Sequence, residues 1–243
     1  MIKIILEGFI SIKAAINGNN RVIEKIYISN KKRTRKTSFM KKIALKNEIS
    51  FEFVSHDKID EIAEGKTHGG FIAFVSERRF NSIESILSSN SCFYVDGIED
   101  PFNLGIIIRT LYSAGVNSLI IRKRDLEMSS SRISKSSAGA FEKMDIAMCD
   151  DQVETINLFK KSGFKIYAAA IEEKSESLFN VKFNDKSLII IGGEKRGIQS
   201  EVLSLADMLV HIPYGNEKFS YSLPASVAST IFSYEILRQR LEK

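Results

Sequence analysis

The sequence predicts an α/β fold in two domains: a small α/β domain over residues 1–80, and a second domain over residues 88–243 built on a parallel sheet. From residue 91 onward, apolar strands alternate with helices, which is typical of a parallel sheet covered by helices on both faces. A connector rich in Ser and Asn at both ends, residues 76–90, separates the two regions. The charge balance changes there as well. The first 80 residues carry 16 Lys and Arg against 9 Asp and Glu, and the remainder carries 19 against 21.

The first domain is predicted to alternate helices with strands. Asn17–Asn20 is a strong turn signal, and the alternating hydrophobicity after it predicts a strand. The loop 65–70 contains three glycines, which permit positive φ. The predicted helices cover residues 11–17, 37–47 and 58–64, and the predicted strands cover residues 22–29, 51–54 and 69–75.

The second domain is predicted to repeat strand and helix, and it ends in one long helix. The strands are predicted over residues 91–95, 118–121, 144–147, 165–170, 187–191 and 208–212. The first helix is predicted to end near residue 113. Four further helices are predicted over residues 132–139, 153–161, 201–206 and 223–242. In the last helix the spacing of Leu223, Val227, Ile231 and Tyr234 predicts a buried face.

Composition excludes several classes of protein. No segment approaches the run of about 18 apolar residues that a membrane helix needs, and the first residues lack the features of a signal peptide. Cys92 and Cys149 lie far apart, without CxxC spacing or a nearby His. The sequence therefore predicts a reduced, cytoplasmic protein with no structural zinc or other metal site.

The positive charge of the first domain is concentrated in one segment. Lys31–Lys46 contains eight basic residues and no acidic one. Such a segment attracts a polyanion through phosphate contacts and counterion release, although a solvated helix face has the same composition. A membrane surface is a less suitable partner, because the segment has no long interleaved apolar face.

Three loops follow apolar strands, where ligands bind in α/β sheets. The first, residues 96–105, contains Asp100-Pro101 and Asn103, and Asn103 is suited to cap the next helix. Arg109 follows in an apolar helical stretch. Such an arginine is either buried with an anionic partner or exposed on an amphipathic helix.

The second loop, residues 192–197, has glycines after a buried strand but lacks both the Walker A and the GxGxxG patterns. A simple turn would have the same glycines. The third loop, residues 212–226, is polar and aromatic. It leads into the last helix, with Pro224 suited to the first turn of that helix.

Taken together and in this order, the three loops resemble the motifs of the SpoU (TrmH-like) RNA ribose methyltransferases of the SPOUT superfamily. Motif one is matched by Asn103, Gly105 and Arg109, motif two by Gly192, Glu194 and Gly197, and motif three by Ile212-Pro213, Ser222-Leu223 and Ser226. The first domain is similar to the L30e-like substrate-binding module of that family through Glu7-Gly8 and the segment 68–75. One departure is that Pro224 stands where the family has Asn in motif three.

The resemblance implies a C-terminal domain with a deep trefoil knot, a homodimer, and methyl transfer from S-adenosylmethionine to a ribose 2′-hydroxyl of rRNA or tRNA. It implies that Arg109 acts as the base or orients the acceptor oxygen. An arginine keeps its proton up to a pKa above about 12, so anchoring a phosphate is the physically easier role. The resemblance also implies that Glu194 holds Asn103 and that Ser222 lies near Arg109. The implied cofactor-binding residues are Gly192, Gly193, Gly197, Ile212 and Leu223.

Two alternatives to this function remain at the level of sequence. A non-catalytic RNA-binding protein that retains the fold is favoured by Pro224, and a methyltransferase acting on a base would share the motifs.

His56, His68 and His211 have no ligand spacing and are interpreted as structural. Tyr214, Phe219 and Tyr221 could stack an RNA base or pack against a partner subunit.

Overall fold

The computed structural model describes residues 4–31, 34–193, 197–216, 218 and 221–243. The chain forms two compact units. The first comprises Met1–Arg79 with Asp125–Lys143, and the second comprises Phe80–Arg124 with Met144–Lys243. The sequence prediction places the segment 125–143 in the second domain, whereas in the structure this segment belongs to the first unit.

Strands and helices alternate along almost the whole described chain. The strands are β1 (Ile4–Glu7), β2 (Ile23–Ser29), β3 (Ser50–Val54), β4 (Phe71–Val75), β5 (Ser91–Val95), β6 (Ser118–Arg122), β7 (Asp145–Cys149), β8 (Lys165–Ala169), β9 (Glu176–Ser177), β10 (Ser187–Ile191) and β11 (Met208–His211). The helices are α1 (Phe9–Gly18), α2 (Arg35–Lys46), α3 (His56–Ile62), α4 (Ile83–Ile86), α5 (Pro101–Ser113), α6 (Ser130–Ser136), α7 (Gln152–Lys161), α8 (Ser200–Ser204) and α9 (Ala225–Leu241). The short strands β1 and β9 are absent from the prediction, because two to four residues carry too little periodicity to be recognised.

The first unit is built on a four-stranded sheet in the order β1-β4-β2-β3. β4 pairs antiparallel with β1 and β2, and β2 pairs parallel with β3. The core contains Leu6, Ile12, Ile26, Met40 and Phe71, contributed by three strands and the helices α1 and α2. Gly69 and Gly70 in the loop before β4 have positive φ, as the sequence predicts.

Buried polar contacts tie the segment 125–143 to the rest of the first unit. Arg21 forms an ion pair with Glu142 at 2.8 Å, and both side chains are fully buried. The carboxylate of Glu7 accepts hydrogen bonds from the backbone N–H of Gly65 and from Lys135 Nζ. These partners are separated by tens to more than a hundred residues, so no local pattern in the sequence could have revealed the assignment.

The second unit is built on a seven-stranded parallel sheet in the order β7-β6-β5-β10-β8-β11-β9. The sequence predicts a parallel sheet here, and the neighbours of the central strand β10 confirm it. Ile191 is in register with Val95 of β5, and Ile190 is in register with Ala168 of β8. Because all these strands run in the same direction, their carboxyl ends open at one edge of the sheet.

The predicted buried face of the last helix is wrong. The helix begins at Ala225, one residue after Pro224, so Leu223 precedes it. Val227 and Tyr234 are 40% and 47% exposed. The buried residues are four small ones, two larger apolar ones and one glutamate, namely Ala225, Ser226, Ser229, Phe232, Ser233, Glu235 and Ile236. Hydrophobicity did not reveal this face, because the side chains of serine and glutamate offer little apolar surface.

The remaining expectations concern thiols and membranes. Cys92 and Cys149 are buried and form no disulfide. Burial raises the pKa of both thiols, which keeps them protonated and unreactive near neutral pH. Among the described residues, no helix is both long enough and apolar enough to cross a bilayer.

Candidate active site

A cleft of about 430 Å³ opens at the carboxyl ends of β8, β10 and β11. Its walls come from the loops that follow these strands and from the start of α9. The five predicted cofactor-binding residues all line it, namely Gly192, Gly193, Gly197, Ile212 and Leu223. The structure therefore brings together two loops that lie some 20 residues apart in the chain.

Gly192 and Gly193 of the second loop are required by close backbone packing. A Cβ atom on Gly192 would lie 2.5 Å from the carbonyl carbon of Gly197, and one on Gly193 would lie 2.7 Å from the carbonyl oxygens of Asp96 and Gly97. Gly197 closes the loop by donating its N–H to the carbonyl of Gly193 at 3.2 Å, with a positive φ of 61°. Glu194, predicted as a site residue, lies outside the described residues.

The first loop leads into α5, and Asp100 rather than Asn103 caps this helix. The Asp100 carboxylate accepts hydrogen bonds from the backbone N–H groups of Phe102 and Asn103, both at 3.2 Å. Pro101 occupies the first helical position, where its missing N–H costs nothing. The prediction that Asn103 caps α5 is wrong, because Asn103 already lies in the first turn. Its side chain is half-buried there.

Arg109 is exposed, so the second of the two arrangements predicted for it is the one observed. It makes no hydrogen bond or ion pair with any part of the chain that the structure describes. Helical spacing places Phe102, Ile106 and Arg109 on one face of α5, and the two apolar side chains are 57% and 44% exposed. An unpaired guanidinium therefore lies on an apolar, solvent-facing surface.

The third loop is held by its own tyrosine. The hydroxyl of Tyr214 accepts a hydrogen bond from the Leu223 N–H at 3.2 Å, and Tyr214 lines the cleft together with Ser222. Tyr221 is 75% exposed, and Phe219 lies outside the described residues. The carbonyl of Pro224 accepts hydrogen bonds from Val227 and Ala228, so proline at this position starts α9 without disturbing it.

The sequence prediction missed the loop after β8. Ala170, Ile171 and Glu172 line the same cleft as the predicted residues. The rule that ligands bind beyond the carboxyl ends of parallel strands could have identified this loop, since β8 is predicted from sequence.

His211 also lines the cleft, but its Nδ1 atom lies within hydrogen-bond distance of both the hydroxyl and the carbonyl of Ser175, which supports the predicted structural role.

Two histidines that are scattered in the sequence meet in the first unit. His56 and His68 lie beside Asp60, with ligand atoms within 4.8 Å of one another. The Nδ1 atom of His68 accepts a hydrogen bond from the Gly70 N–H, so its Nε2 atom carries the proton and donates to Asp60 at 2.8 Å. These hydrogen bonds link α3 to the loop before β4.

The basic segment forms the exposed side of α2. Thr34 caps this helix in a reciprocal arrangement with Thr37, and Met40 and Ala44 pack into the core. Arg35, Lys36, Lys41, Lys42 and Lys46 are exposed. Lys32 and Arg33 lie outside the described residues.

Comparison with known proteins identifies both halves of the chain. The model of the SpoU rRNA Methylase family matches residues 90–234, and a model described as RNA 2'-O ribose methyltransferase substrate binding matches residues 5–81. A TrmH family tRNA/rRNA methyltransferase of Staphylococcus saprophyticus is 27% identical over 99% of this chain and 97% of its own length. The corresponding protein of Staphylococcus epidermidis is 29% identical over 98% and 96%.

Among solved structures, the SpoU methyltransferase AviRb from Streptomyces viridochromogenes, in complex with AdoMet, has the same fold. Its TM-score is 0.79 at 20% identity, covering 98% of this chain and 91% of that one.

Proposed function

Because this chain belongs to the SpoU rRNA Methylase family, we propose that it transfers the methyl group of S-adenosylmethionine to a ribose 2′-hydroxyl of rRNA or tRNA. The observation that carries this proposal is the single cleft lined by the five residues that the family motifs assign to the cofactor. The homologous proteins named as tRNA/rRNA methyltransferases, and the AdoMet complex of AviRb, support the same cofactor and class of substrate.

The cleft fits S-adenosylmethionine in size and chemistry. Its volume lies within the range of about 300–1,000 Å³ that small-molecule sites occupy. Ile198, Leu203 and Val210 offer apolar surface to the adenine, and Glu172 offers a carboxylate near a cationic ligand. Gly192 and Gly193 line the cleft and let neighbouring backbone segments pack closely at its wall. When bound, the cofactor supplies an electrophilic methyl group.

The residues of the chain then position the acceptor. Arg109 would hold a phosphate of the RNA and thereby align the neighbouring 2′-hydroxyl, a role that needs no deprotonated guanidinium. Ser222 would contact the same phosphate, and Glu194 would hold Asn103 so that motif one keeps its place. The alternative, a non-catalytic RNA-binding protein, rests on Pro224, and the geometry of α9 gives it no further support.

We further propose that residues 88–243 form the knotted methyltransferase domain and that residues 1–80 form an L30e-like domain that holds the RNA. The loops after β10 and β11, which carry motifs two and three, line one cleft, as this proposal requires.

Two measurements test the proposed reaction. Calorimetric titration with S-adenosylmethionine should show binding, and mass spectrometry of nucleosides from treated RNA should show a 2′-O-methylated ribose. Absence of binding at millimolar cofactor would contradict an enzymatic role. A methylated base in place of a methylated ribose would retain the enzyme and reject the acceptor. Mapping 2′-O-methyl sites in total RNA with and without this gene would then identify the modified nucleotide.

The exposed side of α2 should contribute a salt-dependent part of RNA affinity. Replacing Lys36, Lys41 and Lys42 by Gln is expected to weaken RNA binding and to reduce the slope of log K against log salt by about 0.7–0.9 for each RNA phosphate that the variant no longer neutralises. Filter-binding assays over a range of salt concentrations measure this slope. An unchanged slope would show that the RNA lies elsewhere.

A homodimer is proposed on the exposed apolar face that α5 and α9 share. Ile106 and Val227 are exposed, and Tyr234 is linked to Ser113 of α5 by a hydroxyl contact of 3.2 Å. Ile106→Asp is expected to shift the protein to a monomer in sedimentation analysis, because a buried unpaired carboxylate opposes association. Leu45→Asp, at an exposed apolar residue of α2 in the first unit, should leave the oligomeric state unchanged.

A further inference from the structure

The first unit carries a surface that no motif assigns, where α1 and α2 lie side by side. Neither helix contains an acidic residue, and together they carry six basic residues. None of these six side chains pairs with a carboxylate among the residues that the structure describes. A surface with unpaired cations and no anions attracts a polyanion without having to break existing ion pairs.

Two phenyl rings lie among these cations. Phe39 on α2 is 40% exposed and packs edge-on against Phe9 of α1, with the ring centroids 5.8 Å apart. Phe9 in turn packs against Phe71 of the core at 5.7 Å. The exposed ring is therefore supported from beneath by the hydrophobic core, and it can accept a stacking partner with little loss of conformational entropy.

Lysines lie over both rings. The Nζ atom of Lys13 is 4.9 Å from the centroid of Phe39, and that of Lys36 is 5.7 Å from the centroid of Phe9. Each ring therefore offers a face to a cationic side chain. A lysine displaced from a ring by a base would remain within reach of the phosphate attached to that base.

We propose that this aromatic platform, formed by Phe9, Lys13, Lys36 and Phe39, binds an unpaired nucleotide of the RNA, with the base stacked on Phe39 and its phosphate held by the two lysines. The inference rests on the proposed function, in which RNA is the substrate. Stacking on a phenyl ring requires a base that is splayed out of a helix, so the platform selects single-stranded over double-stranded RNA.

The test compares Phe39→Ala with Phe53→Ala in the full-length protein. Phe53 is a second exposed ring of the same unit, 46% exposed on the edge strand β3, and none of the described lysines or arginines lies over it. Affinity is measured for one unstructured oligoribonucleotide and for the same strand annealed to its complement. We expect Phe39→Ala to bind the single strand about five- to hundredfold more weakly, and the duplex unchanged. Phe53→Ala should match the wild type with both.

Two further measurements guard against a folding defect. Phe39→Tyr keeps the ring and should keep single-strand affinity within about twofold of the wild type. A single strand containing 4-thiouridine should crosslink to the Phe9 or Phe39 peptide on irradiation. An equal fall in single-strand and duplex affinity in Phe39→Ala, or crosslinks confined to other peptides, would overturn the platform.

Failure of this inference is distinguishable from failure of the proposed function. If methyl transfer occurs and Phe39→Ala binds the single strand normally, only the platform is rejected. If the wild type neither binds cofactor nor methylates RNA, the proposed function is rejected, whatever the platform binds.

Discussion

Arg109→Ala is expected to abolish methyl transfer, with a fall in kcat/KM of about a hundredfold or more, while cofactor affinity stays within about twofold of the wild type. The structure supplies the reason. Arg109 is exposed, has no partner in the described part of the chain, and is absent from the walls of the cleft. In the proposed role its replacement removes an interaction with an RNA phosphate, and because Arg109 does not line the cleft, the cofactor site should stay intact. Single-turnover methylation and calorimetry measure the two effects separately.

Arg109→Lys is the matched control for this variant. Lysine keeps the charge on the same face of α5 but lacks the planar fork that binds a phosphate through two hydrogen bonds, so we expect partial activity between wild type and alanine. Thermal unfolding of all three proteins should agree within a few degrees, because an exposed side chain without partners contributes little stability. Wild-type activity in Arg109→Ala would remove this residue from the mechanism.

The general architecture could be predicted from the sequence, because it is encoded in local patterns. Apolar runs such as Ser187–Ile191 and Ser91–Val95 are parallel strands buried on both faces, and the structure confirms them. The glycines at 192, 193 and 197 follow such a strand, and the structure shows that close backbone contacts require the first two. Local composition was sufficient for these elements.

The features that sequence could not reveal depend on residues distant in the chain. The partnership of Arg21 with Glu142, which ties the segment 125–143 to the first unit, has no local signature. The buried residues of α9 include three serines and a glutamate, which a hydrophobic pattern does not mark. The proximity of His56 to His68, and the exposure of Arg109, follow from tertiary packing. Contact between a partner chain and the exposed apolar residues beside Arg109 depends on the assembly. The hydrophobic pattern of a single chain cannot predict it.

Gly193→Ala is expected to weaken cofactor binding about tenfold or more and to lower the free energy of unfolding by about 1–3 kcal/mol. The new methyl group would lie 2.7 Å from two backbone carbonyl oxygens, those of Asp96 and Gly97, which begin the loop after β5. Backbone cannot move aside as a flexible side chain can. The loop after β10 must therefore separate from the loop after β5, and this displaces one wall of the cleft. Calorimetric titration and denaturant unfolding measure the two effects.

Gly215→Ala is the matched control, because it makes the same chemical change in another loop of the same unit. A Cβ atom at residue 215 would meet no heavy atom of the described residues within 4 Å. We expect its cofactor affinity and its unfolding free energy to stay close to wild type. If Gly193→Ala and Gly215→Ala behave alike, the close contact between the loops after β5 and β10 does not shape the cleft. If only Gly193→Ala loses affinity, the position of the cofactor is set by how closely two backbone segments approach. That in turn explains why glycine is needed at residue 193 although its backbone φ is not positive.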